Sequence, residues 1–201
     1  MFIAIRIVFW GVAFAVCFIL IKKSHIIHKK KWSIIAFLTS VILAAISAFI
    51  PFENAFVTFS SPETSYKYTT LVDAKAVING KNSDFVIGQR NDTDTYLIVP
   101  KTKDGWKIGI GKDTKKVFHT ISDGIEISVY QYKNSNDYYI TVLDTNGGPA
   151  EINDTFNSNF VRLDRPSSAL KTTFCTYYAH ISDFNSDYTI TVNGNVIKLH
   201  K

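Results

Sequence analysis

Few side chains in this chain have the type and spacing to do chemistry. Cys175 with His119 or His180 would supply a nucleophile and its base, because a thiolate attacks only where a neighbour takes its proton. Cys175 lies mid-strand in 173–179, however, and shares a strand face with Tyr177 and Ala179, which predicts a buried structural thiol. His119, after Lys115, Lys116 and Phe118, and His180, at the end of its strand, read as ordinary strand residues. Asp183, Asn185 and Asp187 carry the oxygen ligands of a calcium loop's first three positions. Tyr188 stands where the turn glycine belongs and Gly194 where the closing glutamate belongs, so this is a weak metal candidate that an Asx-rich turn explains. His25 and His28 lack a third ligand. No phosphate loop, dinucleotide fingerprint, nucleophile elbow or zinc-peptidase helix occurs, and no cofactor is expected.

The constellation that invites a function is aromatic. Tyr130, Tyr132 and Tyr139 fall on polar strand faces, where exposed rings would stack on sugars or receive a partner protein. A covering sheet would bury them instead, so solvent accessibility decides between a binding face and a core.

The elements that carry these residues follow a period of two through most of residues 51–201. Three stretches read as strand, Asx-rich turn, strand. They run from 84–87 to 96–99 through Asn91 to Asp94, from 124–132 to 138–143 through Asn134 to Asp137, and from 172–180 to 188–192 through Asp183 to Asp187. A glycine-bearing turn follows each, at Gly105, Gly147-Gly148 and Gly194. The pattern predicts a mainly antiparallel β-domain, sandwich or meander, of roughly eight to ten short strands. Ile125, Ile127 and Val129 share one strand face and Glu126, Ser128, Tyr130 and Tyr132 the other, the alternation of a sheet wetted on one side. Phe85–Ile87 and Tyr96–Val99 are apolar on both sides, so the first hairpin is expected to be the most central. Ser60-Ser61-Pro62-Glu63, a hydroxyl three residues before a carboxylate with a proline between, predicts a short helix over about 61–70.

Charge separates this region from what precedes it. The chain has 22 Lys+Arg and 17 Asp+Glu for a net +5, yet residues 1–50 hold six of the basic residues and no acid. Residues 51–201 therefore carry 16 basic and 17 acidic residues, which excludes a nucleic-acid footprint on the β-domain. Residues 2–21 and 33–50 are apolar except for Arg6, Ser33, Thr39, Ser40 and Ser47, close to the ~20 residues needed to cross a bilayer. They predict a two-helix transmembrane hairpin over 1–50. Lys22, Lys23, Lys29, Lys30 and Lys31 in the connecting loop 22–32 would set topology by placing that loop in the cytoplasm. Both termini and the C-terminal domain would then lie outside a two-pass cell membrane protein. Small residues at helical spacing, Gly11 and Ala15 against Ala36, Ser40, Ala44 and Ala48, suggest where the two helices would pack. A cleavable signal ending at Ala45-Ile46-Ser47 would sit behind a complete apolar run, so anchorage is the better reading.

Pro51-Phe52-Glu53-Asn54, Phe59-Ser60-Ser61-Pro62-Glu63, Asp104-Gly105-Trp106-Lys107-Ile108-Gly109 and Asp144-Thr145-Asn146-Gly147-Gly148, behind two apolar spans, resemble a group of small two-span membrane proteins of Gram-positive bacteria with an exported β-domain. The resemblance implies a bacterial, membrane-anchored protein and supplies no activity. The expected function is a non-enzymatic binding or interaction module. Its partners would be the lipid bilayer and a neighbouring membrane protein or cell-envelope polymer. The alternatives are a cell-envelope hydrolase with carboxylate catalysis, and an accessory subunit acting through its helix hairpin. Two carboxylates in a concave pocket would favour the hydrolase, a flat aromatic face the binding module.

Overall fold

The computed structural model describes residues 2–23, 30–49, 51–91, 93–167 and 172–199. It divides into two compact units, Met1–Val57 and Thr58–Lys201.

The first unit contains helices α1 (Phe2–Lys23) and α2 (Lys30–Phe49), followed by a 3-10 turn at Phe52–Ala55. Among the described residues, no helix is long and apolar enough to cross a membrane. This corrects the transmembrane hairpin with spans 2–21 and 33–50, its cytoplasmic loop 22–32 and the two-pass localisation with both termini outside. The physical reason lies in where the polar groups fall. Arg6, Lys22 and Lys23 lie within α1, and α2 begins on Lys30 and Lys31 and includes Ser33, Thr39, Ser40 and Ser47. The uninterrupted apolar run in each helix is therefore shorter than the helix, against the ~20 residues a span requires. Lys29, His25 and His28 lie outside the described residues. The small-residue packing face is not formed at Gly11, where an added Cβ would meet nothing within 4 Å. In α2 the Ser40 hydroxyl instead donates back to the Ala36 carbonyl at 2.8 Å, the usual way a serine is satisfied inside a helix.

The second unit is a stack of antiparallel sheets. Helix α3 (Pro62–Thr70) opens it, with Ser61 as N-cap. The Ser61 hydroxyl accepts from the Thr64 N–H at 3.3 Å, and the Thr64 hydroxyl oxygen accepts from the Ser61 N–H at 3.3 Å. The reciprocal cap thus uses Ser61 and Thr64, one residue beyond the Ser60 and Glu63 pair that the sequence suggests. Twelve strands follow among the described residues. The first sheet has the order β1-β2-β3-β4 (Ala74–Asn79, Ser83–Arg90, Thr93–Thr102, Gly105–Trp106). The second has the order β5-β6-β7-β10-β9 (Thr114–Ser122, Ile125–Tyr132, Tyr138–Asp144, Thr172–Ile181, Val161–Ser167). A three-stranded sheet has the order β12-β11-β8 (Asn195–Lys198, Thr189–Val192, Ile152–Asp154).

The five-stranded sheet is the middle layer, because its two faces feed two different cores. Ile125, Ile127, Val129, Ile140, Val142 and Ala179 pack with Tyr188, Ile190, Val192 and Leu199 from the three-stranded side. On the opposite face Tyr130, Tyr132, Tyr139 and Tyr178 pack with Ile78, Phe85, Ile87 and Ile98 of the four-stranded sheet. The outer face of that sheet is covered in turn by Tyr66 of α3, which packs with Val72, Val86 and Val99. Each such aliphatic or aromatic side chain contributes about 1.5–3 kcal/mol by leaving water.

Two expectations about the strands change. The sheet expected to be wetted on one face is covered on both, and the central hairpin is β6–β7, flanked by β5 and β10, not the first one. The stretch from 172–180 to 188–192 is not a hairpin: β10 pairs with β7 and β9, while β11 pairs with β8 and β12. Between them the chain crosses from one sheet to another, and buried Phe184 and Tyr188 hold the crossing by packing edge to face with centroids 5.7 Å apart. Tight turns supply the remaining reversals. Asp123 (φ 50°) and Gly124 (φ 78°) join β5 to β6, and Asn193 (φ 51°) and Gly194 (φ 82°) join β11 to β12. Both are two-residue loops in the left-handed region that matches strand twist.

Candidate functional site: a cleft between two sheets

The face of the middle sheet that meets the four-stranded sheet is built in rungs. Residues paired across neighbouring strands share a face, so the register can be read across. One rung runs Lys116, Tyr130, Tyr139, His180; the next His119, Ser128, Thr141, Tyr178; the third Ile121, Glu126, Leu143, Thr176. The first rung is rich in large rings, whereas Ser128, Thr141 and Thr176 in the other two are small and polar. Phe85 fills the space over the first, stacking on Tyr139 with centroids 5.2 Å apart and on Tyr130 at 6.1 Å. Over the other two the sheets leave a cleft of about 270 Å³. Its floor is Ser128, Thr141, Leu143 and Thr176, and Lys116, Glu126, Tyr130 and Tyr178 also line it.

The wall comes from the start of β3. Tyr178 donates its hydroxyl to Asp94 Oδ2 at 3.0 Å, and Thr176 donates to the same oxygen at 3.4 Å. Tyr96 and Tyr130 join their hydroxyls at 2.7 Å. Burial, followed by that bond, raises the Tyr96 phenol well above its ordinary value, so it stays a neutral hydrogen-bonding group. On the β5 side His119 Nδ1 lies 3.0 Å from the Ser128 hydroxyl and 3.8 Å from Glu126 Oε1. Both contacts fall on the same ring nitrogen. A relay needs the hydroxyl on one nitrogen and the carboxylate on the other, so these three residues do not form one.

The other end of the same interface is closed by a buried carboxylate. Asp137 is 1% exposed. It accepts from the Lys81 N–H (2.9 Å), the Asn82 N–H (2.6 Å), the Ser83 hydroxyl (3.1 Å) and His180 Nε2 (3.1 Å), pinning the β1–β2 turn to β7. Burial alone would raise its pKa, but these donors outweigh it and hold the carboxyl below the usual carboxylate range. The Tyr139 hydroxyl donates to the Ser83 carbonyl at 2.7 Å, and burial raises that phenol strongly.

Tyr130, Tyr132 and Tyr139 are 7%, 7% and 0% exposed, so the aromatic binding face is corrected to a core: the four-stranded sheet covers it. Tyr130 alone of the three also lines the cleft. Asp183, Asn185 and Asp187 turn inward on their own loop. Asn185 Nδ2 donates to Asp183 Oδ2 at 3.0 Å, and Asn185 Oδ1 accepts from the Asp187 N–H at 3.0 Å, which is Asx-turn chemistry. Among the described residues no group of three or more His, Cys, Asp and Glu could hold a metal. Cys175 is buried on the face away from the cleft, its thiol 3.5 Å from Asp164 Oδ1; burial, then that carboxylate, raises its pKa. His119 and His180 are engaged with Ser128 and Asp137 instead. Of the topology lysines, Lys22 and Lys23 end α1, Lys30 and Lys31 begin α2, and Lys29 lies outside the described residues.

Part of the cleft has no signal in the sequence, for two reasons. Asp94 reads as part of an Asx-rich turn, yet β3 begins at Thr93 and puts Asp94 on a strand. Lys116 and His119 are three apart, which in a regular strand sends them to opposite faces. A bulge between Lys116 and Phe118 inserts Val117, so Lys116 opposes Tyr130 and His119 opposes Ser128 on one face. The even-numbered polar stripe of Glu126, Ser128 and Tyr130 was visible; that the small residues Thr141 and Thr176 continue it across β7 and β10 was not.

Comparison with protein-family models, curated proteins and solved structures finds no match to this chain.

Proposed function

We propose that this protein is a non-enzymatic binding module whose β-unit holds a small polar ligand in the cleft between its four- and five-stranded sheets. The observation that carries this reading is the convergence there of Asp94, Glu126 and Lys116, fixed on strands, over a floor of small hydroxyl-bearing side chains. At about 270 Å³ the cleft is of the size of one sugar ring or one amino acid, the kind of unit from which a cell-envelope polymer is made. Strand addition is a poor alternative mode of recognition. The β5 edge carries Lys115, Lys116 and a bulge, and the β9 edge carries Arg162, Asp164, Arg165 and Pro166, devices that keep sheet edges from pairing. Chemistry on the bound ligand has little support, since the His119–Ser128 contact lacks a relay and Cys175 faces the other core.

A hydrolase remains the second reading, favoured by two carboxylates, Asp94 and Glu126, in one concave site. Thermal unfolding of the intact chain against a panel of monosaccharides and amino acids tests the first. A cognate ligand at ~100 times its Kd stabilises by about 2.7 kcal/mol, and Thr141→Trp, which fills the floor, is expected to erase that gain while leaving the unliganded midpoint close to wild type. If no ligand raises the midpoint, the binding module is wrong. Turnover of a ligand that Glu126→Gln abolishes would move the assignment to the hydrolase.

A further inference from the structure

The charges in the cleft are sorted by sign along the strands. Lys116 stands in the first rung, beside Tyr130, and Glu126 stands in the third. Same-face neighbours on a strand are roughly 6.6–7 Å apart, so two rungs separate their backbones by roughly 13 Å. Asp94 joins Glu126 at the acidic end, because its partners Tyr178 and Thr176 belong to the second and third rungs. The Lys116 ammonium is held 5.6 Å from the Tyr130 ring centroid, and no carboxylate among the described residues forms an ion pair with it. Among the described residues Glu126 has only His119 within ion-pair distance, at 3.8 Å, and that partner counts only when protonated.

An exposed lysine and a half-buried glutamate share this cleft, and the rung spacing keeps them apart. A ligand with a charge of each sign at its two ends would satisfy both, and a ligand with one charge would satisfy one end and leave the other without a partner. The geometry points to a zwitterion, a molecule carrying an amino group and an acid group several bonds apart, as the class this cleft selects. It binds with its ammonium at Glu126, beside the already engaged Asp94, and its acid group at Lys116. This rests on the binding-module reading of the cleft and adds the charge type of the ligand.

Calorimetric titration of the full chain with 6-aminohexanoate, hexylamine, hexanoate and methyl glucoside tests it. The expected result is that 6-aminohexanoate binds at least roughly tenfold more tightly than either singly charged analogue. Lys116→Met should weaken 6-aminohexanoate to the level of hexylamine without changing hexylamine, and Glu126→Gln should weaken it to the level of hexanoate. Equal affinity for 6-aminohexanoate and one of the singly charged probes, or an unchanged affinity in Lys116→Met, overturns the proposal. Binding of methyl glucoside alone, abolished by Thr141→Trp, overturns it while keeping the cleft as a binding site. If none of the four probes binds, the proposal falls, and if the panel of sugars and amino acids also fails, so does the binding module.

Discussion

The two ends of the interface between the four- and five-stranded sheets are made from similar residue types and do opposite things. At the closed end Phe85, Tyr139 and Asp137 fill the space, and every polar atom has a partner from the protein itself. At the open end Ser128, Thr141 and Thr176 stand where rings stand at the other, and the sheets part around charged side chains that reach solvent. A buried carboxylate with four internal donors is a structural clamp. A carboxylate with a distant histidine and a cleft in front of it is available to something else. Side-chain size on a rung, more than the presence of charge, separates the two.

Breaking the closed end should cost most. Phe85 is fully buried among Tyr96, Tyr130, Tyr139 and Tyr178, so Phe85→Ala is expected to destabilise by about 3–5 kcal/mol in denaturant unfolding. Asp137→Asn comes next: an amide cannot accept from all four donors, and each donor stranded costs about 1–3 kcal/mol.

That variant also carries a pH signature. The folded pKa of Asp137 lies below its unfolded value, so its contribution to stability is full above the unfolded pKa and is lost as pH falls through the folded one. Wild type should lose stability on acidification below about pH 4 more steeply than Asp137→Asn, as read by midpoints across that range.

The open end should be cheap to change. Tyr96→Phe removes one hydroxyl–hydroxyl bond and is expected to cost about 0.5–1.5 kcal/mol. Glu126→Gln should alter stability by less than about 0.5 kcal/mol while weakening ligand binding, because the side chain is 40% exposed and its ion-pair partner among the described residues, His119, stands 3.8 Å away. A large destabilisation in Glu126→Gln would show that the open end is a second clamp.

The sequence revealed the strands better than their neighbours. Alternation at Ile125, Ile127 and Val129 against Ser128 and Tyr130 marks the two faces of β6 correctly, since side-chain period follows from backbone geometry alone. Which faces are covered depends on which sheet lies opposite, and nothing local to β6 specifies that. The tyrosines show the consequence: Tyr139 sits on a polar face by pattern and at 0% exposure in the fold, because Phe85, more than fifty residues earlier, stacks on it. The crossing at 182–188 was hidden for a related reason. Its Asx residues make turns wherever they stand, whereas buried Phe184 and Tyr188 declare the change of sheet only through tertiary contacts. Of the cleft, the Glu126 and Ser128 stripe was legible, and the Val117 bulge that brings Lys116 and His119 beside it was not. At the other end of the chain, the apolar runs were legible as helices but not as spans.

Binding of a small polar molecule at the open end of this interface can be read directly. Methyl-resolved NMR of the intact chain, titrated with the sugar and amino-acid panel, reads the two faces of the middle sheet separately. Saturable shifts are expected for the Thr141, Leu143 and Thr176 methyls, which line the cleft, with those of Ile127, Ile140 and Val142 on the opposite face unmoved. Shifts spread equally over both faces, or none at any ligand concentration, would contradict it.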